Sequence, residues 1–167
     1  IQDHLRASSG ISLKEDLAFQ KRFNGYYRVS RLPKKWYEAF YNIFDNSRNS
    51  IPAYSDLLTT LYAATNRCEA SFASKLLATL DPTMPVIDSV VLGILNTKIP
   101  GPSTPNRLEK VALLHGEIGR CYKDFLKSKQ GQSLISQFKA TYPAESQLLT
   151  DIKMLDFILW QTREEKV

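Results

Sequence analysis

Two carboxylates, one histidine and one run of cations are the side chains here whose type and setting can do chemistry. Asp88 stands in Pro85-Val86-Ile87-Asp88-Ser89-Val90-Val91, behind a proline and at the head of an apolar run. An Asp in that place accepts hydrogen bonds from the first free N–H groups of a helix and sits at the positive end of its dipole, a role worth about 1 kcal/mol. The same donors hold the carboxylate ionised where a cationic transition state can use it. Capping accounts for the residue by itself, catalysis is compatible with capping, and both readings stand.

Asp156 falls on a helical wheel between Ile152, Leu159 and Trp160, inside an apolar arc. A carboxylate there needs a partner or a raised pKa, and Lys153, three residues back, can supply the partner. His115 lies in the apolar arc of its own helix and reads as a core histidine, because a neutral imidazole tolerates burial when its nitrogens are paired. The cations Arg28, Arg31, Lys34 and Lys35 are interleaved with Tyr26, Tyr27, Trp36 and Tyr37. That composition suits a nucleic-acid surface, where cations neutralise phosphates and rings stack on bases. A solvated helix start with its rings turned inward has the same composition.

Several chemistries lack local support. The chain has no HExxH, paired CxxC, P-loop, G-x-S-x-G or G-x-G-x-x-G, and only His4 and His115 are available for a histidine relay. Cys68 and Cys121 are far apart in helical segments, so neither a disulfide framework nor a metal site is expected. No run reaches the roughly 18 apolar residues of a membrane span. The two cysteines read as reduced thiols in a cytoplasmic protein, and Ile1-Gln2-Asp3-His4 lacks a secretory signal pattern and reads as a trimmed start or one whose disordered residues are left out. The net charge is +5, and among the first fifty residues nine cations face five acids, which puts +4 of it there. Such an excess favours a polyanionic partner without demanding one, and a bland basic surface has the same charge.

The elements that must carry these residues read as helices throughout. Ser12 caps a first helix to about Phe23, and Pro33 opens a second with Trp36, Ala39, Phe40, Ile43 and Phe44 on one face. Ser55 caps a third, ending near Asn66. A fourth runs from Glu69 to Leu80 and is stopped by Asp81-Pro82. Ser89–Leu95 is apolar on every side and so belongs in the middle of the protein, with Asp88 where two buried helices meet. Thr104 caps the longest helix, about Pro105 to Gln130, with Cys121 and Phe125 on its stripe and Gly131 as terminator; Ser133 begins a shorter one, and Thr150 to Arg163 is the last. The expectation is an all-α, orthogonal multi-helix globular fold of about seven to eight helices, one domain over 1–167 with a two-lobe division near 97–105.

Ser74-Lys75-Leu76-Leu77 followed by Pro85-Val86-Ile87-Asp88-Ser89-Val90-Val91 resembles the centre of the helix-hairpin-helix DNA glycosylase superfamily. In that family a small-residue, Lys, apolar helix leads through a proline loop to a P-h-h-D-[ST]-x-V segment whose Asp is the catalytic carboxylate. The resemblance covers about a sixth of the chain. It implies the family's helical fold, Asp88 as catalytic residue and double-stranded DNA as partner; the cations Arg28, Arg31, Lys34 and Lys35, together with Lys75, are the expected DNA contacts. The family's glycine-rich, phosphate-binding hairpin turn is replaced here by Asn66-Arg67-Cys68-Glu69-Ala70-Ser71, without glycine. There is no cysteine quartet for an iron–sulfur cluster, so no cofactor is expected. A second reading follows from the missing glycines: a non-enzymatic helical domain that binds a protein or a nucleic acid.

Overall fold

A computed structural model of the chain describes Ile1, Leu5 and residues 10–162; His4 and Arg163 lie outside the described residues. Among them are nine helices and no strand, so the protein is an all-α, multi-helix fold. The chain divides into two compact units, Ile1–Leu80 and Asp81–Val167, so residues 97–105 belong to the second.

The first unit is built from α1 (Leu17–Tyr27), α2 (Lys34–Ser47), α3 (Tyr54–Thr65) and α4 (Ala70–Leu80). Its core is aromatic: Phe19, Phe23, Phe40 and Phe44 are fully buried. Phe44 meets Phe19 and Phe23 edge-on at 5.4 and 5.3 Å, the arrangement that ring quadrupoles favour. The cap of α1 is Asp16, whose carboxylate accepts from Phe19 N at 2.8 Å, and not Ser12. The Ser12 hydroxyl instead donates to Asp45 at 2.7 Å, and a bond to a charged acceptor outcompetes a neutral cap. α2 runs to Ser47, through the polar residues Asp45 and Asn46, with the Ser47 hydroxyl bonded back to Ile43 O at 2.8 Å. α3 starts at Tyr54 after Ala53, so Ser55 lies inside it.

The second unit holds α5 (Ser89–Ile94), α6 (Arg107–Lys127), α7 (Lys129–Thr141), α8 (Pro143–Ser146) and α9 (Asp151–Gln161), and α9 packs on α5, α6 and α7. The expected burial of α5 on all sides does not hold. Val91 is fully buried, but Ile94 is 52% exposed. A helix of six residues has little more than one turn and turns a single side to its neighbour. It ends at Ile94 with Leu95 as its cap, and Asn96 follows in the left-handed region at φ 48°, with Thr97 N bonded to Leu92 O at 2.9 Å.

The expected helix from Pro105 to Gln130 is two helices. α6 begins after Asn106, at φ 52°, rather than at a Thr104 cap, and stops at Lys127. Ser128 makes the corner: its hydroxyl donates to Phe125 O at 2.6 Å and accepts from Gly131 N at 3.1 Å. Gly131 therefore starts the next helix instead of ending the last, and a Cβ there would stand 2.0 Å from Phe125 O. With α6 ending early, Phe125 is 38% exposed and Cys121 is exposed as well. No described helix is long and apolar enough to cross a membrane.

Candidate functional site

Asp88 is the last residue of a segment that cannot satisfy its own backbone. Pro82 and Pro85 lack N–H groups, and Val86 and Ile87 are fully buried, so the carbonyls between Pro82 and Asp88 need partners from elsewhere. Asp81 begins the segment with a tight turn, its carboxylate accepting from Thr83 N at 2.9 Å and from the Thr83 hydroxyl at 2.6 Å. Side chains from α6 and α9 then meet three of its carbonyls. Thr150, the cap of α9, donates its hydroxyl to Pro82 O at 2.5 Å; Lys153 Nζ donates to Met84 O at 3.4 Å; and His115 Nε2, on α6, lies 3.2 Å from Pro85 O.

At the end of this segment Asp88 leaves its backbone extended, at φ −142° and ψ 175°, and caps α5. Its Oδ1 accepts from Val91 N at 2.9 Å. Asp88 retains 9% exposure.

Beneath it lies a buried polar cluster. Lys153 Nζ and Asp156 Oδ2 are 2.9 Å apart with side chains 8% and 2% exposed, and the Tyr122 hydroxyl donates to Asp156 Oδ1 at 3.0 Å. Burial pushes the Asp156 carboxyl up from its ordinary value, Lys153 and Tyr122 pull it down, the charge of Asp88 adds a further upward push, and the net direction is up. The Tyr122 phenol is raised by burial and then by Asp156, with Asp88 contributing, so it stays neutral. Burial pushes His115 down to about 4, against its bond to Pro85 O. A neutral ring must present an N–H at Nε2 to that carbonyl, which fixes its tautomer. The expectation that Lys153 partners Asp156 and that His115 is a hydrogen-bonded core histidine is met; Tyr122 and Thr150 were not anticipated. Tyr122 lies on the buried stripe of α6 and Thr150 caps α9, where sequence shows a side chain but not its target.

The cations expected to bind nucleic acid lie in the other unit. Arg28, Arg31, Lys34 and Lys35 are all exposed along the link between α1 and α2 and the first turn of α2. Two of them occupy the left-handed region, Arg28 at φ 53° and Arg31 at φ 61°. Arg28 ends α1, and Val29 N folds back to Asn24 O at 2.8 Å, so the turn projects the arginine while burying Val29. Lys34 lies 3.7 Å from Glu38, with both side chains mostly in solvent, a pairing worth little. Of the interleaved rings, Trp36 and Tyr27 are buried and Tyr26 is 37% exposed.

Lys75 points inward from α4: its Nζ donates to Tyr27 O at 3.3 Å, near the carbonyl end of α1, and lies 5.8 and 5.2 Å from the centroids of Tyr27 and Phe72. That placement uses the cation for a helix C-terminus and for aromatic faces. The turn between α3 and α4 carries Glu69, 5% exposed, its carboxylate accepting from Trp36 Nε1 at 2.8 Å and lying 3.2 Å from Arg67 Nε.

Among the described residues no cluster of three or more His, Cys, Asp or Glu is arranged to hold a metal ion. Comparison with protein-family models, with curated protein sequences and with solved structures finds no match to this chain.

Proposed function

We propose that this protein binds duplex DNA and acts on a base in it as the helix-hairpin-helix glycosylases do, with Asp88 as the catalytic carboxylate. The observation that carries the reading is the way Asp88 is held. A segment of two prolines and two buried aliphatic residues delivers it to the head of α5, where a backbone N–H at 2.9 Å fixes one carboxylate oxygen. A fixed carboxylate lowers the barrier to breaking an N-glycosidic bond: the base departs with the bonding electron pair, C1′ becomes oxocarbenium-like, and the negative charge stabilises it until water adds. Holding the group in advance means that no reorganisation is needed as the charge develops. Extrusion of the base precedes this step, because the carboxylate cannot reach the glycosidic bond of a base held in the stack. The exposed cations Arg28, Arg31, Lys34 and Lys35 supply the backbone contacts in this reading.

One observation favours the second reading, a helical domain that binds without chemistry. The α3–α4 turn, where the resembled family holds a phosphate on glycine N–H groups, contains the buried carboxylate of Glu69. An anion in that turn repels a phosphate.

The experiment that separates the readings pairs fluorescence anisotropy on duplex DNA with strand analysis after alkali, using duplexes that carry deaminated, oxidised or alkylated bases. The first reading expects salt-sensitive binding by wild type and Asp88→Asn alike, with base release by wild type alone. Release that Asp88→Asn leaves unchanged overturns the catalytic role. Binding without release from any duplex selects the second reading.

A further inference from the structure

We infer that His115 is a positioning residue for Asp88, acting through the carbonyl of Pro85. The inference rests on the reading of Asp88 as the catalytic carboxylate. Three side chains anchor the segment before Asp88, and His115 is the one nearest to it along the chain. Its ring is 5% exposed, and its Nε2–H is 3.2 Å from Pro85 O, three residues before Asp88. Thr150 and Lys153 hold Pro82 O and Met84 O from the opposite helix.

The two helices therefore grip the segment from α6 and α9, and between the grip and Asp88 lie only Val86 and Ile87, both fully buried. A stretch this short and this enclosed transmits the position of Pro85 to the Asp88 carboxylate. The imidazole is suited to the task because it stays neutral: burial pushes it down to about 4, so it offers Pro85 O an N–H without burying a charge.

The test compares His115→Phe, which keeps apolar volume and removes the donor, with His115→Gln, which restores an N–H. Amide hydrogen exchange on the full chain reads the outcome. In His115→Phe, the amides of Met84, Val86, Ile87 and Val91 exchange about tenfold faster, the factor that loss of one buried hydrogen bond gives. The amides of Val111 and Ile118 on α6 keep their wild-type rates. His115→Gln returns the four toward wild type.

Unchanged protection at Val91 in His115→Phe overturns the inference, and so does equal acceleration along α6, which marks a merely structural role. If His115→Phe does not fold, the double variant Lys153→Met with Asp156→Leu removes the neighbouring anchor without stranding a charge. Faster exchange at Val86 and Val91 in that variant supports the grip, and unchanged exchange refutes it. These measurements need no DNA, so they fail or succeed separately from the proposed function, which the duplex titration of the wild-type chain tests. On a duplex that wild type processes, His115→Phe lowers kcat and leaves Kd unchanged; a loss confined to Kd overturns the positioning role.

Discussion

Lys153 and Asp156 have given up nearly all their hydration for each other, for the Tyr122 hydroxyl and for Met84 O. The cost of removing one partner is therefore set by the charge left behind. Asp156→Leu alone is expected to destabilise the fold by about 3–5 kcal/mol, whereas Lys153→Met with Asp156→Leu costs far less than the sum of the single changes. Urea denaturation of the two single variants and the double closes the cycle, and additive costs would mean that the pair is not coupled. His115 makes a separate prediction in pH. Its folded pKa, about 4, lies below the ordinary 6.5. Between those values the unfolded chain binds a proton that the folded chain refuses, so stability is full above pH 6.5 and is lost as pH falls toward 4, by up to about 3 kcal/mol. Asp156, raised in the folded state, works in the opposite sense, since acidification protonates the folded form first. Subtracting the stability curve of His115→Phe from that of wild type leaves the histidine's share, and a flat difference across this window would refute the assignment.

At the scale of helices, the corner between α6 and α7 depends on a missing side chain. Gly131→Ala places a Cβ 2.0 Å from Phe125 O and 3.0 Å from Leu126 Cα, and backbone on both sides leaves it no room. It is expected to cost more than about 2 kcal/mol, read as a fall in Tm. Gly116→Ala, on the exposed side of α6 with nothing within 4 Å, is expected to raise stability by about 0.5–1 kcal/mol. Equal effects would show that the corner is not the cause.

The same corner shows what the sequence makes legible. Apolar spacing revealed most of the helices and the Asp88 cap, because those depend on a residue and its near neighbours. It joined α6 to the start of α7 because Ser128 in the middle of a periodic run gives no sign that its hydroxyl will turn the chain. It placed α5 in the interior because composition reports that Val90, Leu92 and Ile94 are apolar, not that six residues have only one side to bury. The Lys153–Asp156 pair was visible at a spacing of three. Its bonds to Tyr122 and Met84 O join positions 34 and 69 residues away, beyond the reach of local pattern.

Across the whole molecule the charge is uneven. Residues 1–80 carry eleven cations and seven acids, a net +4, while residues 81–167 carry eleven and ten, a net +1. The catalytic candidate thus lies in the nearly neutral unit and the candidate DNA contacts in the basic one. Arg28, Arg31, Lys34 and Lys35 account for four of these charges, all exposed, and replacing all four with Gln lowers the net charge of the chain from +5 to +1. Gln fits the left-handed positions no worse than Arg, so the fold is expected to survive with Tm within a few degrees of wild type. Binding is expected to change in a way that only phosphate contacts produce. Each phosphate neutralised contributes about 0.9 to the slope of log K against log salt, so the loss of four contacts makes the slope shallower by about 3–4 and flattens the fall in affinity between roughly 50 and 200 mM salt. Anisotropy titrations of both chains on one duplex at several salt concentrations measure it. A shallower slope assigns the backbone contacts to the link between α1 and α2, where two arginines tolerate an unfavourable φ that places them in solvent. An unchanged slope, with binding retained, moves the DNA surface elsewhere on the chain and leaves that link as a solvated helix start.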